Sequence, residues 1–217
     1  MTVRERYREQ NREEAKRIAL EQLAESGPSG LSVNAIARQM GVTGPALYRY
    51  FAGRDGLLTE LIADAYTELA DTVEHAATTK RAPAARLRAM SNAWRDWAVA
   101  QPHRYLLLFG TPIPGYEAPE HTLAAAHRTL VAFAEAFEAL DVRPPRTVPL
   151  DRQVAALAAD RQVPVSAGAL RLAIMGWTRL HGVVSLEVEG QFALMGVDPA
   201  LLFQAEVEAL LVDHSSG

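Results

Sequence analysis

The chain has 217 residues, 49 % of them apolar and 22 % charged, so it can bury a sizeable core and is too hydrophobic to be a disordered tail. It contains no cysteine, which excludes disulfides, thiolate nucleophiles and cysteine-ligated metals. Its formal net charge of −4 shows no whole-chain preference for a polyanion, but residues 1–60 hold nine Lys or Arg against eight Asp or Glu while the rest holds 13 against 18, which places any anion-binding surface in the first quarter.

The opening, MTVRERYREQNREEAKR, is charged throughout and unlike a signal peptide. No apolar run approaches the roughly 20 residues that cross a bilayer, so a cytoplasmic location is expected. From Val3 to about Ser26 the spacing predicts a helix that buries Ala15, Ile18, Ala19 and Leu23 on one face. SGPSG, Ser26 to Gly30, ends it, since proline and two glycines suit a turn. Ser32 is a good N-cap for a short helix to Met40 that buries Val33, Ile36, Ala37 and Met40. Gly41 stops that helix, and Thr43 can cap the next, with Pro45 in its first turn, where amide groups lack internal partners.

This short helix should end near Phe51. After the turn AGRD, Ala52 to Asp55, apolar residues from Leu57 to Val73 repeat at three and four. They predict a helix of about 25 residues, roughly 38 Å long. Further helices are expected at Pro83 to Ala100, His103 to Phe109, Pro119 to Leu140, Leu150 to Ala159, Val165 to about Glu189 and Pro199 to Asp213. TPIPGYEAPE and DVRPPRTVP, both rich in proline, should be loops. No strand pattern or solenoid-length repeat is visible, so the fold class is all-α.

Two short helices joined at a glycine cross at a steep angle. Ala37 is small where they must approach, Gly41 stands where a left-handed backbone is needed, and Leu47 packs back from the second helix. A DNA-binding helix-turn-helix requires this arrangement, in which the second helix enters the major groove with its N-terminal residues at base edges. The stretch LSVNAIARQMGVTGPALYRYFAGRDGLL closely resembles the N-terminal domain of the tetracycline-repressor (TetR) family of transcriptional regulators, with helices, turn, aromatic pair and following Leu-Leu in register. The resemblance implies an N-terminal three-helix helix-turn-helix domain and a larger C-terminal helical domain that binds an effector and dimerises. The domain boundaries read from it are 1–60 for DNA binding, with helix 4 continuing as a shared connector to about residue 79, and 61–217 for effector binding and dimerisation.

By the same resemblance Thr43, Gly44, Pro45, Ala46 and Tyr48 fall where the family contacts bases or adjacent backbone. Tyr50 and Arg54 fall where it grips phosphates, and Asn34 matches a position that reaches the groove or the sugar-phosphate chain. Gly44 offers no side chain where some relatives use an amide to read a purine, which leaves Thr43, contacts of Pro45 and Ala46 with thymine methyls, and DNA shape. Leu47 and Phe51 are expected in the core. Arg4, Arg6, Arg8 and Arg12 read either as a flexible arm along the duplex or as a solvated helix whose charge Glu5, Glu9, Glu13 and Glu14 dilute.

Farther on, Met90, Trp94 and Trp97 recur at helical spacing, followed by Tyr105 and Phe109. Such rings either fill a core or line a cavity for an apolar or amphipathic ligand. Trp177, His181 and Gly182 resemble the Trp-His-Gly signature of one C-terminal subgroup of the same family, covering roughly residues 80 to 215. That resemblance implies a helix that borders the effector cavity and joins the dimer contact. His181 either hydrogen-bonds an effector or is a satisfied structural histidine. The last two helices, with Leu170, Ile174, Trp177, Val184, Leu201, Leu202, Val207, Leu210 and Leu211, are expected to form a four-helix bundle with their copies.

The partners implied are a second copy, a small-molecule effector and double-stranded DNA bearing an inverted repeat, because one recognition helix reads too few base pairs. The function expected is that of a repressor released from its operator by a ligand. HExxH, GxSxG and GxGxxG are absent, so neither catalytic or metal-binding residues nor a cofactor are expected.

Overall fold

A computed structural model describes residues 2–140 and 148–212, and among them the chain forms ten α-helices, three short 3-10 turns and no strand. The helices are α1 (Val3–Ser26), α2 (Val33–Gln39), α3 (Gly44–Leu47), α4 (Gly53–Thr78) and α5 (Pro83–Ala100), then α6 (Pro102–Phe109), α7 (Ala124–Glu138), α8 (Val148–Asp160), α9 (Ala167–Val188) and α10 (Pro199–Val212). Their starts follow local chemistry. Thr2 and Glu5 close a reciprocal capping box at α1, the Ser32 hydroxyl accepts from the Ala35 amide at α2, and Ser166 does the same for Ala169 at α9.

Two boundaries and one cap differ from the sequence expectations. α3 ends at Leu47 because the next amides tighten into i to i−3 bonds, Arg49 to Ala46 at 3.3 Å and Tyr50 to Leu47 at 2.9 Å. The expected Pro119 to Leu140 helix begins instead as a 3-10 turn, Glu120–Leu123, since the amide and hydroxyl of buried Thr122 both donate to the Pro119 carbonyl. Thr43 precedes α3 but makes no side-chain cap bond. The loop expected over DVRPPRTVP and the helix end expected at Asp213 lie outside the described residues as far as 141–147 and 213 are concerned.

The chain divides into two compact units, residues 1–66 with 101–123, and 67–100 with 124–217. In the first, Ala15, Ile18, Ala19, Val33, Ile36, Leu47, Phe51, Leu57 and Leu58 build the core. Leu107 and Ile113 pack into the same core, so the segment 101–123, which the sequence reading assigns to the C-terminal domain, belongs with the N-terminal unit. In the second unit α9 lies against α5, α7, α8 and α10. Leu87, Met90, Phe137, Leu170, Ala173, Val184, Phe203 and Val207 are buried there. Bidentate bonds from Arg95 to Glu187, at 2.8 and 2.5 Å, tie α5 to α9, and Arg171 pairs with Asp151 across α9 and α8. Leu170, Val184, Val207 and Leu210 are buried within the chain itself. Among the described residues no helix is long and apolar enough to cross a membrane and no His, Asp and Glu group could hold a metal ion.

Candidate DNA-binding face and effector cavity

The first site is built on α2 and α3. Ile36, Ala37 and Leu47 are buried, and the chain reverses at Gly41, whose φ of +68° is a conformation that side-chain-bearing residues adopt only under strain. The Val42 amide then donates to the Ala37 carbonyl at 2.9 Å and fixes the turn. With its apolar side so anchored, the short helix leaves Thr43, Pro45 and Tyr48 exposed, Tyr48 at 54 %, while Gly44 and Ala46 are half-buried. Asn34 on α2 is exposed and comes against Gly44: a Cβ on Gly44 would stand 3.1 Å from the Asn34 amide oxygen. The missing side chain at 44 thus makes room for an amide supplied from the neighbouring helix.

The two residues expected to grip phosphates are held differently. Tyr50 is half-buried, and its hydroxyl oxygen accepts from the Asn11 side-chain amide of α1 at 3.1 Å, which leaves the phenolic proton available. Arg54 donates to the Pro28 carbonyl at 2.9 Å and lies 3.5 Å from Asp55. Its guanidinium braces the turn between α1 and α2, a role its position opening α4 does not reveal.

The second site lies within the other unit. Leu87 and Trp94 of α5, Phe133 and Phe137 of α7, Gly176, Trp177 and Leu180 of α9, and Leu210 of α10 surround a cavity of about 20 Å³. The lining carries almost no polar atom, and the space suffices for one water-sized occupant. Gly176 permits the packing here, since a Cβ would stand 3.3 Å from Phe137 Cζ and 3.4 Å from Leu210 Cδ1. Trp177 forms part of the wall while remaining 42 % exposed. His181 stacks on Trp177 with ring centres 5.0 Å apart and is tilted against Trp94 at 6.2 Å, and burial pushes its imidazole below the ordinary value near 6.5.

Of the residues read from the sequence for the ligand site, Trp94 and Trp177 border this cavity and His181 stacks behind them. Met90 is fully buried in the same unit, and buried Trp97 donates its indole N–H to Glu68 at 3.3 Å. Tyr105 and Phe109 pack together at 5.2 Å in the N-terminal unit, where Phe109 meets Tyr66 edge-on at 6.0 Å. Leu87, Phe133, Phe137, Gly176 and Leu180 escaped the sequence reading, although Phe133 and Phe137 stand four apart on one helical face in LVAFAEAFEAL.

Both regions of the chain match known proteins. Residues 17–61 match the family described as "Bacterial regulatory proteins, tetR family", and residues 87–210 match "Tetracyclin repressor-like, C-terminal domain". The HTH-type transcriptional regulator Rv1816 of Mycobacterium tuberculosis is 37 % identical, covering 93 % of each chain. The crystal structure of the regulatory protein SCO4313 superposes with a TM-score of 0.85 at 47 % identity, covering 97 % of this chain and 99 % of that one. A Rhodococcus sp. RHA1 protein of unknown function shares the fold at a TM-score of 0.74 and 22 % identity, covering 95 % of this chain and 96 % of that one. With a helix-turn-helix segment and a C-terminal region both matched, and a transcriptional regulator aligned over nearly its whole length, the chain belongs to the TetR family of DNA-binding transcriptional regulators, which are not enzymes.

Proposed function

We propose that the protein is a repressor that binds an inverted-repeat operator as a homodimer and leaves it when a small apolar or amphipathic ligand enters the C-terminal unit. The observation that carries the DNA face is the 54 % exposure of Tyr48, one residue after fully buried Leu47, beside exposed Thr43, Pro45 and Asn34. A large ring at a helix end, turned outward among hydrogen-bonding groups, suits groove contact and contributes little to the core. Asn34 supplies the amide that reads a base edge where Gly44 has none.

The dimer face proposed is the exposed stripe Met175, Thr178, Gly182 and Leu186 on α9, at spacings that share one helical side, together with exposed Leu201 on α10. A Cβ on Gly182 would meet nothing within 4 Å, so this position is open to a closely approaching helix. Trp177, 42 % exposed, forms part of the cavity wall, and a ligand larger than one water enters by displacing wall side chains, this ring foremost. Displacement there reaches α4, because Arg128 of α7 binds Asp71 and Glu74, and Trp97 of α5 binds Glu68. α4 runs unbroken from Gly53 to Thr78, and a coupling of about 2.7 kcal/mol gives ~100-fold release.

The experiment is a titration of Tyr48→Ala on a duplex selected by the wild-type protein from a random pool. The expected result is at least a tenfold loss of affinity with an unchanged thermal transition. Wild-type affinity in that variant would reject the assigned face.

A further inference from the structure

Between the first turns of α1 and the turn after α3 lies a cleft lined by Arg4, Tyr7, Arg8, Arg49 and Tyr50. We infer that this cleft is a phosphate site, formed by the guanidinium groups of Arg4, Arg8 and Arg49 with the hydroxyls of Tyr7 and Tyr50, that holds a phosphodiester bordering the groove entered by α3. The inference rests on the reading of the chain as an operator-binding protein and adds a contact outside the recognition helix.

The argument begins with helix geometry. Arg4, Tyr7, Arg8 and Asn11 follow one another at intervals of three, one and three residues, and so share one side of α1. The same side continues into Ala15, Ile18 and Ala19, which are fully buried in the core. The anchored stripe of α1 thus becomes cationic where the helix leaves the core. The acidic residues that dilute the charge in the sequence are directed elsewhere. Glu5 is occupied by the Thr2 amide at 2.6 Å in the capping box, and Glu9, Glu13 and Glu14 line a different surface with Arg6 and Arg17.

Several cations of this unit are already paired, while Arg6 and Arg38, like the cleft arginines, form no ion pair or side-chain hydrogen bond among the described residues but lie outside the cleft. Arg12 pairs with Glu60 at 2.5 Å, Lys16 with Asp64 at 2.8 Å, Arg17 with Glu14 at 2.7 Å, and Arg54 with the Pro28 carbonyl. Among the described residues Arg4, Arg8 and Arg49 form no ion pair or side-chain hydrogen bond. Like charges four apart weaken a helix, so Arg4 and Arg8 do not serve the stability of α1. Three unneutralised forks around a concave surface, with two hydroxyls between them, match the shape and charge of a phosphate. Asn11 acts as a positioning residue: by donating to the Tyr50 oxygen it turns the phenolic proton toward the cleft.

The test uses the full-length protein and the duplex it selects from a random pool, titrated across salt. Arg4→Ala/Arg8→Ala is expected to lose about tenfold or more in affinity near 0.15 M salt and to lower the slope of log K against log salt by about 1 to 2. Arg6→Ala, on another side of the same helix, should stay within about twofold of wild type with an unchanged slope. Tyr50→Phe should weaken binding, and Asn11→Ala added to it should have no further effect, whereas a structural Asn11 would give additive losses. Wild-type affinity and slope in Arg4→Ala/Arg8→Ala, with binding still lost in Tyr48→Ala, would overturn the inference and leave the operator reading standing. If selection enriches no duplex, the operator reading fails and the inference falls with it. Inorganic phosphate probes the other source of the same chemistry: saturable shifts of arginine Nε–H signals in DNA-free protein, together with an unaltered slope in the double variant, would assign the cleft to a free anion and refute the DNA contact.

Discussion

Replacing Gly176 by alanine separates the cavity's structural role from its proposed role as effector site. Alanine in the middle of α9 gains about 1 kcal/mol of helix propensity over glycine. Against this, the new Cβ would stand 3.3 and 3.4 Å from two atoms of the Phe137 ring and 3.4 Å from Leu210 Cδ1, so these groups must retreat by a few tenths of an ångström. In a filled core such crowding costs about 1–3 kcal/mol. Here both neighbours also line a cavity of about 20 Å³ into which they can move, so the penalty falls toward the lower limit. The two contributions nearly cancel, and stability should stay within about 1 kcal/mol of wild type, a Tm change of no more than roughly 2–4 °C for a chain of this size. The ligand response should nevertheless fall, since the retreating groups occupy the space that a ligand must open. Thermal unfolding gives the first quantity. For the second, Trp94 and Trp177 both border the cavity in a chain with only three tryptophans, so emission during titration with decanol or naphthalene reports occupancy. Destabilisation beyond about 2 kcal/mol would show that the cavity cannot absorb the ring's displacement. Unaltered ligand quenching and operator release in Gly176→Ala would show that the effector binds elsewhere.

Gly41→Ala should cost about 1–2 kcal/mol, because φ is +68° there although a Cβ would meet no atom within 4 Å; with no clash to add, chemical denaturation reads this backbone strain, and a neutral substitution would refute it. His181 is held below its ordinary value by burial, so the unfolded chain takes up the proton first and stability rises with pH through that range. The contribution is complete above the unfolded value near 6.5 and is lost as pH falls below it; in His181→Gln this part of the pH dependence of Tm should vanish, and its persistence would point to another group.

The helices were legible because their limits are set by nearby atoms. Ser32 caps α2 as its position suggests, and prolines at 83, 102 and 199 each open a helix. The turn glycine at 41 and the inward Leu47 were equally visible. What escaped depends on contacts far apart in sequence. Arg54 turns to the Pro28 carbonyl, 26 residues back, and nothing local distinguishes it from a free guanidinium. The cavity wall takes side chains from four helices, and no single periodicity specifies which faces converge. On α1 the reverse holds: spacing separates the arginine stripe from the glutamates, but counting charges along the sequence conceals it.

The N-terminal unit is assembled from two separate stretches of chain, 1–66 and 101–123. A gene fusion cut once after residue 66 would carry away Leu107 and Ile113 and leave the reader head with a gap in its interior. A transplantable version must bring along both pieces, joined across the excised span. Exchange of sensing modules between such regulators is therefore a matter of matched splice points, and a graft that respects only the first of them should yield an unstable head whatever its operator preference.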